Sequence, residues 1–307
     1  MSLPVIQLLK LGQKQLEDAG IKDAEIDAKE LFCHMMGIDR TGLIMMWQDV
    51  LQDNQCEVYF DLVQERCTRK PLQHIVGSQE FMGLTFKVND KVLIPRQDTE
   101  TMVEHFFTLF KEGTINGEKY GGDEKRGSDV LDLCCGSGAI GVSIAKNFPE
   151  AKVTMTDVSK EAATIAKENA SANGCKSVKV MESDMFSGLK GRFSNKRYDY
   201  IISNPPYIER DVIRTLEPEV RDYEPHMALD GGEDGLRFYR TIAENAPDHL
   251  NKNGILMMEI GYNQKDAVTK ILEDSGCFEN VLCLKDLTGK DRIVVASLIT
   301  QEKKKGR

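Results

Sequence analysis

Apolar side chains recur at helical spacing near the start of the chain. They lie three or four positions apart, as in Val5 and Leu8 and again in Leu31 and Met35. This spacing gives each helix one apolar face, and several such faces pack together to form a core. We therefore expect residues 1 to 75 to form a small helical domain.

A different pattern follows between Gln79 and Leu93. Apolar residues flank the dipeptide Asn89-Asp90, which is a common turn sequence, so we predict a strand, a turn and a second strand. Because this stretch lies between two regions of different periodicity, we expect it to form a β-hairpin linker over residues 76 to 96.

From Asp129 onward, short apolar runs alternate with amphipathic stretches. We predict seven strands, the first beginning at Val130 and the last ending at Leu298, with helices between most of them. Strands that alternate with helices form a doubly wound, mostly parallel sheet, whose ligands bind at the carboxyl ends of the strands. We therefore predict an α/β domain over residues 97 to 300 and a basic tail at residues 301 to 307.

The composition narrows the classes of function. The net charge of −9 disfavours nucleic-acid binding, because phosphates are bound by clusters of Lys and Arg. No secretory leader is visible, and no run reaches the roughly 20 apolar residues of a membrane span. The eight cysteines show no zinc-type spacing, so we predict reduced thiols and no metal site. We expect a cytoplasmic protein without membrane contact.

A glycine-rich loop follows the first strand of the predicted sheet. Gly136, Gly138 and Gly141 have the spacing of a dinucleotide-binding loop, and Asp157 ends the second strand about twenty residues later. Glycines let the backbone approach a cofactor, and the carboxylate can accept both ribose hydroxyls. This spacing alone fits a nucleotide cofactor and S-adenosylmethionine equally well.

Acidic residues at three successive strand ends favour S-adenosylmethionine. Asp132 lies just before the glycine loop, where it would repel a pyrophosphate but would suit a sulfonium or ammonium cation. Asp184 follows the third strand and is placed to accept a hydrogen bond from an adenine amino group. Each acid alone fits a helix cap or a turn. Together with Asp157, they favour a cofactor site.

The sequence Asn204-Pro205-Pro206-Tyr207 follows the fourth predicted strand. A proline-rich turn would explain the prolines but not the flanking Asn and Tyr. The Asn204 side-chain oxygen and the Pro205 carbonyl can accept both N–H bonds of a planar amino group, and Tyr207 can pack on its plane. Such a group is a weak nucleophile, which needs orientation more than a strong base. The motif fits adenine N6, cytosine N4 and glutamine amides equally.

With these motifs the chain resembles the peptide chain release factor glutamine methyltransferases over nearly its whole length. The resemblance rests on residues 71 to 77, 93 to 100 and 217 to 234, besides the two motifs above. It implies a seven-stranded, Rossmann-like class I methyltransferase domain, a helical domain that binds the substrate protein and a hairpin linker. It also implies methyl transfer from S-adenosyl-L-methionine to the Gly-Gly-Gln glutamine of class I release factors, with S-adenosyl-L-homocysteine as product.

The residue patterns and the resemblance together define the candidate site. The expected cofactor-binding residues are Asp132, Cys134, Cys135, Gly136, Ser137, Gly138, Asp157, Asp184, Met185 and Asn204. The expected substrate-binding residues are Arg96, Asn204, Pro205, Pro206 and Tyr207. Of these, Asn204, Pro205 and Tyr207 are the catalytic candidates. The chain departs from the family at Cys134-Cys135, usually Gly-Thr, and at Met185, usually an aromatic residue.

Three other functions fit parts of the sequence. An adenine N6 amino-methyltransferase of nucleic acid needs a basic channel for a flipped base, which the acidic composition disfavours. A nicotinamide-dependent oxidoreductase leaves the motif at Asn204 unexplained, and a non-enzymatic scaffold is disfavoured because the site residues show no decay. The resemblance therefore implies a glutamine methyltransferase with release factors as its partners, and we expect the protein to be a monomer.

Overall fold

Apolar helix faces build the first of two units in the computed structural model, which describes residues 2–120, 127–189 and 195–299. This helical unit contains Met1–Ser78 together with Leu216–Glu224. The elements of its first stretch are β1 (Leu3–Pro4), α1 (Val5–Asp18), α2 (Ala24–Met36), α3 (Arg40–Met45), β2 (Val50–Leu51), α4 (Asp53–Cys67) and α5 (Leu72–Val76). Its core includes fully buried side chains from three helices, among them Leu8, Leu31 and Tyr59. The predicted helices are confirmed, whereas α3 and α5 were not predicted.

The second unit, the α/β unit, contains Gln79–Thr215 and Pro225–Arg307. Its elements begin with β3 (Ser78–Phe81), β4 (Leu84–Lys87), α6 (Gln97–Glu112), β5 (Thr114–Ile115), β6 (Glu118–Lys119), β7 (Asp129–Leu133), α7 (Ala139–Asn147), β8 (Lys152–Asp157), α8 (Lys160–Ala172), β9 (Lys179–Glu182) and β10 (Tyr198–Ser203). After α9 (Pro218–Arg221), which belongs to the helical unit, they are α10 (Arg237–His249), β11 (Leu250–Glu259), α11 (Lys265–Asp274), β12 (Phe278–Lys285) and β13 (Asp291–Leu298). The predicted tail at residues 301–307 lies outside the described residues.

Seven of the described strands form one sheet, in the order β12-β13-β11-β10-β7-β8-β9. The five strands from β11 to β9 in that order are parallel, and β13 runs antiparallel to both of its neighbours. The chain starts at β7 in the middle, builds outward to β9, and returns to the other side of β7 with β10. This arrangement confirms the predicted doubly wound, mostly parallel sheet and creates a switch point between β7 and β10.

Helices cover both faces of this sheet. Val130 and Leu131 are neighbours in β7, and their fully buried side chains join apolar clusters on opposite faces, as the alternation of side chains along a strand requires. One cluster includes Phe106 of α6 and Val142 of α7, and the other includes Tyr239 of α10. The sheet is therefore buried on both sides, and its strand ends are left to form a site.

No helix of the described residues is long and apolar enough to cross a membrane.

The predicted hairpin has a different turn from the one that we expected. The structure turns at Met82-Gly83, between β3 and β4, and not at Asn89-Asp90. Met82 and Gly83 both have positive φ, 52° and 71°, as a two-residue hairpin turn of the favoured type requires. The Asn89 side chain instead accepts a hydrogen bond from the backbone N–H of Lys91, which closes a local turn without a second strand.

The late segment Leu216–Glu224 is held in the helical unit by arginines of its first stretch. Arg66, whose side chain is 8% exposed, donates to Asp27 at 2.7 Å and to Glu219 at 3.1 Å. Arg69 donates to both carboxylate oxygens of Glu219, at 2.7 and 2.6 Å. Two guanidinium groups, one buried and one partly exposed, therefore bind this segment by charge-assisted hydrogen bonds.

Candidate active site

Strand register brings the two predicted loops together. We call residues 134 to 138 the glycine loop and residues 204 to 207 the proline loop. Leu133, the last residue of β7, pairs with Ser203 of β10 on one side and with Thr156 of β8 on the other. The glycine loop, the proline loop and Asp157 therefore leave the sheet side by side.

A cavity of about 390 Å³ in the α/β unit opens at this edge of the sheet. The predicted site residues that line it are Cys134, Gly136, Asp157, Asp184, Met185, Asn204 and Pro206. Its apolar wall includes residues that sequence reasoning missed, among them Val92, Leu93, Ala162 and Phe238. They carry no polar group, so no chemical signal marked them in the sequence. The cavity thus has polar groups from the strand ends and an apolar wall, as small-molecule sites usually do.

The glycine loop is fastened to the acid at the end of β8. The backbone N–H of Gly136 donates to Asp157 Oδ2 at 2.8 Å, and that of Ser159 donates to Oδ1 at 2.9 Å. Burial raises the pKa of Asp157, although these N–H groups oppose the rise. The bonds from Gly136 and Ser159 use one lone pair on each carboxylate oxygen, so Asp157 keeps acceptor capacity for the hydroxyls of a ribose.

Gly138 allows the loop to pass close to α8. Its φ is 81°, and a Cβ atom there would lie 3.1 Å from Cβ of Ala166. Cys135, Ser137 and Gly138 do not line the cavity, although all three are described; the Cys135 N–H donates to the Thr156 carbonyl at 2.9 Å. These loop residues therefore shape the path of the backbone.

Asp132 is buried one residue before the end of β7 and does not line the cavity. Its Oδ2 accepts the backbone N–H of Gly141 at 2.9 Å, while its Oδ1 has no hydrogen-bond partner among the described residues. Burial, and to a smaller extent the charge of Asp157, raises the pKa of Asp132 to about 8. A buried carboxyl group with an unpartnered oxygen fits a cationic cofactor, because a nearby positive charge would favour its ionised form.

Cys134 and Met185 place two sulfur atoms in the cavity wall. Both have positive φ, 59° and 49°, and their sulfur atoms are 3.6 Å apart. The Met185 carbonyl accepts a hydrogen bond from the Ser183 hydroxyl at 2.6 Å, which holds the turn after β9. Asp184 is exposed at the same turn and lines the cavity. The two departures from the family's usual residues are thus neighbours, and together they offer a polarisable surface.

The proline loop is connected to two residues that we had not predicted as site residues. Asn204 Nδ2 donates to Thr99 Oγ1 at 3.2 Å, and the Thr99 hydroxyl donates to Glu259 Oε2 at 2.6 Å. The Tyr207 hydroxyl donates to Glu259 Oε1 at 3.2 Å. Thr99 lies in the stretch 93 to 100 that carried the resemblance, whereas Glu259 ends a buried strand and showed no signal in the sequence.

Two residues that come after Leu216–Glu224 in the sequence contact the backbone of Tyr207. Gln264 Nε2 donates to the Tyr207 carbonyl at 2.9 Å. A Cβ atom at Gly235 would lie 2.5 Å from that same carbonyl oxygen, so only glycine permits this approach. Pro205 and Arg96 are described but do not line the cavity; Arg96 lies at the start of α6. Gln264 and Gly235 therefore hold the end of the proline loop in place.

A second cavity, of about 520 Å³, lies at the opposite end of the strands. It is lined by residues that begin strands, among them Asp129 of β7 and Lys152 of β8. It contains none of the predicted site residues, all of which lie in the described part of the chain. The described residues contain no group of three His, Cys, Asp or Glu side chains suited to a metal ion, and all eight cysteines are free thiols.

A doubly wound sheet with this glycine loop, an acid at the next strand end and an Asn-Pro-Pro-Tyr loop beside it defines an S-adenosylmethionine-dependent methyltransferase. Residues 7–77 match the family model described as the PrmC N-terminal domain, and residues 123–216 match the methyltransferase small domain. The catalytic domain of hMettl16, solved with the MAT2A 3′UTR hairpin 1, has the same fold, with a TM-score of 0.54. It is 16% identical and covers 78% of this chain and 80% of its own.

Curated relatives define the family more closely. A release factor glutamine methyltransferase of Clostridium botulinum is 38% identical over 94% of this chain and 97% of its own length. Another with the same name, from Geobacter sulfurreducens, is 38% identical over 91% of both chains. The chain belongs to the release factor glutamine methyltransferase family.

Proposed function

We propose that this protein transfers the methyl group of S-adenosylmethionine to the side-chain amide nitrogen of a glutamine in class I peptide chain release factors. The names of its relatives support the substrate. The observation that carries the proposal is the position of Asn204, which lines the cavity while its Nδ2 is already bonded to Thr99. Its Oδ1 is then the atom left to accept an N–H bond of the glutamine.

Some residues of the cavity would bind the cofactor, and others would orient the glutamine amide. S-adenosylmethionine, when bound, supplies a methyl group on a positively charged sulfur. Asp157 would bind the ribose of S-adenosylmethionine, and Met185 and Cys134 would contact its adenine. Asn204 Oδ1 and the Pro205 carbonyl would accept the two N–H bonds of the glutamine amide, which holds the nitrogen lone pair toward the methyl group. The new N–C bond would form as the S–C bond breaks and its electrons stay on sulfur, the nitrogen would lose one proton to solvent, and S-adenosylhomocysteine would be the second product. The rate would come from orientation and fixed dipoles.

We assign recognition of the folded release factor to the helical unit. A glutamine on a loop offers too little surface to identify one protein, so binding energy must come from contacts remote from the reacting amide. The helical unit exposes large apolar side chains suited to such contacts, including Ile44 at 71% and Met45 at 79%. The monomeric state, the cytoplasmic location and the lack of nucleic-acid binding stay predictions.

Mass spectrometry of a release factor after incubation with the protein and S-adenosylmethionine tests the proposal. We expect one added methyl group, on the glutamine of the Gly-Gly-Gln sequence, and none on a factor whose glutamine is replaced by alanine. A short Gly-Gly-Gln peptide should react with a kcat/KM roughly tenfold or more below that of the intact factor, because it lacks the remote contacts. Methylation of DNA or RNA adenine in parallel reactions, with an unmodified factor, would contradict the proposal.

A further inference from the structure

Four side chains of the α/β unit form a continuous chain of hydrogen bonds beside the cavity. Asn204 donates to Thr99, and Thr99 and Tyr207 each donate to one oxygen of Glu259. The residues come from α6, the proline loop and the end of β11, so the fold alone brings them together. Only Asn204 lines the cavity, and the other three lie behind it.

The direction of these bonds follows from the number of hydrogens available. When Glu259 is ionised, its Oε2 can only accept, so the one hydroxyl hydrogen of Thr99 is donated to that carboxylate across 2.6 Å. Thr99 Oγ1 can then only accept from Asn204, so the Asn204 amide must turn its NH₂ group toward Thr99. The oxygen and nitrogen of an amide have nearly the same shape, so such a network decides which of them faces the cavity.

The surroundings of Glu259 allow both its ionised and its protonated form near neutral pH. Its side chain is buried, and burial raises its pKa to about 7, although Thr99, Arg292 and Tyr207 oppose the rise. Arg292 of β13 is itself bound to Asp98 at 3.1 Å and to Asp286 at 3.2 Å, and the charge of Asp98 disfavours ionisation of Glu259. From α10, the Tyr239 hydroxyl donates to the backbone carbonyl of Glu259 at 3.0 Å.

We propose that Glu259 is a positioning residue that, as a carboxylate acting through Thr99, sets the orientation of the Asn204 amide for catalysis. A protonated Glu259 can donate its own hydrogen to Thr99, which frees the Thr99 hydroxyl to donate to Asn204. The Asn204 amide would then turn its oxygen toward Thr99 and its NH₂ toward the glutamine N–H groups, which it would repel. The role in turnover rests on the proposed function, whereas the bond directions do not.

This mechanism has a pH signature. Ionised Glu259 is the active form, so kcat should rise with pH through about 7 and level off above it. In Glu259→Gln no proton is lost or gained at this position. We expect kcat of that variant to be about tenfold below the wild-type plateau and constant from about pH 6 to 8, because a neutral amide can bond to Thr99 in either orientation.

Variants of Thr99 test the relay without changing any charge. Thr99→Val removes the hydroxyl at nearly constant volume and should lower kcat by about tenfold or more, with KM changed less than about threefold, because a misplaced positioning group costs up to roughly a hundredfold. Thr99→Ser keeps the hydroxyl and should restore most of kcat. Thr101→Val is the matched control, since Thr101 is also buried on α6. Equal losses in Thr99→Val and Thr101→Val, or none in Thr99→Val, would overturn the proposal.

A measurement without substrate separates this proposal from the proposed function. The side-chain NH₂ resonances of Asn204, identified by their loss in Asn204→Asp, should shift with a midpoint near pH 7 in the wild-type protein and not in Glu259→Gln. If the release factor is not methylated but these resonances shift, the function is wrong and the relay stands. Resonances that do not respond to pH in the wild-type protein would refute the relay.

Discussion

The two sides of the cavity are built in different ways. The cofactor side consists of backbone N–H groups and acids that follow successive strands, such as Gly136 bonded to Asp157, 21 positions later. The amide side consists of side chains bonded across 105 positions, from Thr99 to Asn204, and across 160, from Thr99 to Glu259. One side is thus fixed by local chain geometry and the other only by the packing of the whole α/β unit.

This difference separates affinity from turnover. Changes on the cofactor side should alter how tightly the cofactor binds, because in the proposed function those groups contact parts of it that do not react. Changes on the amide side should alter kcat, because there the proposed role of those groups is to orient the reacting nitrogen. Single-residue variants on each side test whether cofactor affinity and kcat are separated in this way.

The largest effect is expected for Asn204→Ala. The variant loses the proposed acceptor for the glutamine amide, and we expect kcat to fall by about 10²–10³-fold, as for loss of one fixed polar group in other active sites. Cofactor affinity, measured by calorimetry, should stay within a few-fold of wild type. Asn245→Ala, a half-buried asparagine of α10, is the control and should keep full activity. Wild-type turnover of Asn204→Ala would remove Asn204 from the mechanism.

A smaller effect is expected for Asp157→Ala, and it concerns cofactor affinity instead of kcat. It removes a charged hydrogen-bond acceptor, and the loss of one such bond costs about 1.5–3 kcal/mol, so cofactor affinity should fall by at least roughly tenfold. At saturating cofactor, kcat should change little. Asp129→Ala, at the opposite end of β7, is the control. If calorimetry shows unchanged affinity for Asp157→Ala, the ribose is not bound there.

The smallest effect is expected at Asp132, and it depends on pH. Because its pKa is raised to about 8, Asp132 is largely protonated at lower pH and ionises as the pH passes that value. The ionised form favours a positively charged sulfur. The ratio of affinities for S-adenosylmethionine and S-adenosylhomocysteine should therefore rise between about pH 6 and 9 in the wild-type protein and stay constant in Asp132→Asn. A ratio independent of pH in both proteins would show that Asp132 only fastens Gly141.

The sequence predicted which strand ends and loops meet at the cavity, because these signals are local; that these residues bind the cofactor stays a prediction. The glycine spacing, the acid at Asp157 and the proline loop each lie within a few residues of a strand end, and the parallel sheet brings strand ends together. Glu259 could not be predicted as a partner of Thr99, because their contact depends on how α6 packs against β11. The hairpin turn was misplaced because Asn89-Asp90 is a turn sequence too, and only the backbone angles at Met82-Gly83 distinguish the two.

The second stretch of the helical unit has a consequence for exchanging parts between relatives. The chain crosses between the units after Ser78, after Thr215 and after Glu224, so the helical unit is not one continuous cassette. A chimera that transplants only the first 78 residues would pair a foreign Arg66 and Arg69 with the resident Glu219. If the helical unit recognises the substrate as proposed, a change of preference that repacks this contact requires matched changes in two distant stretches of the sequence.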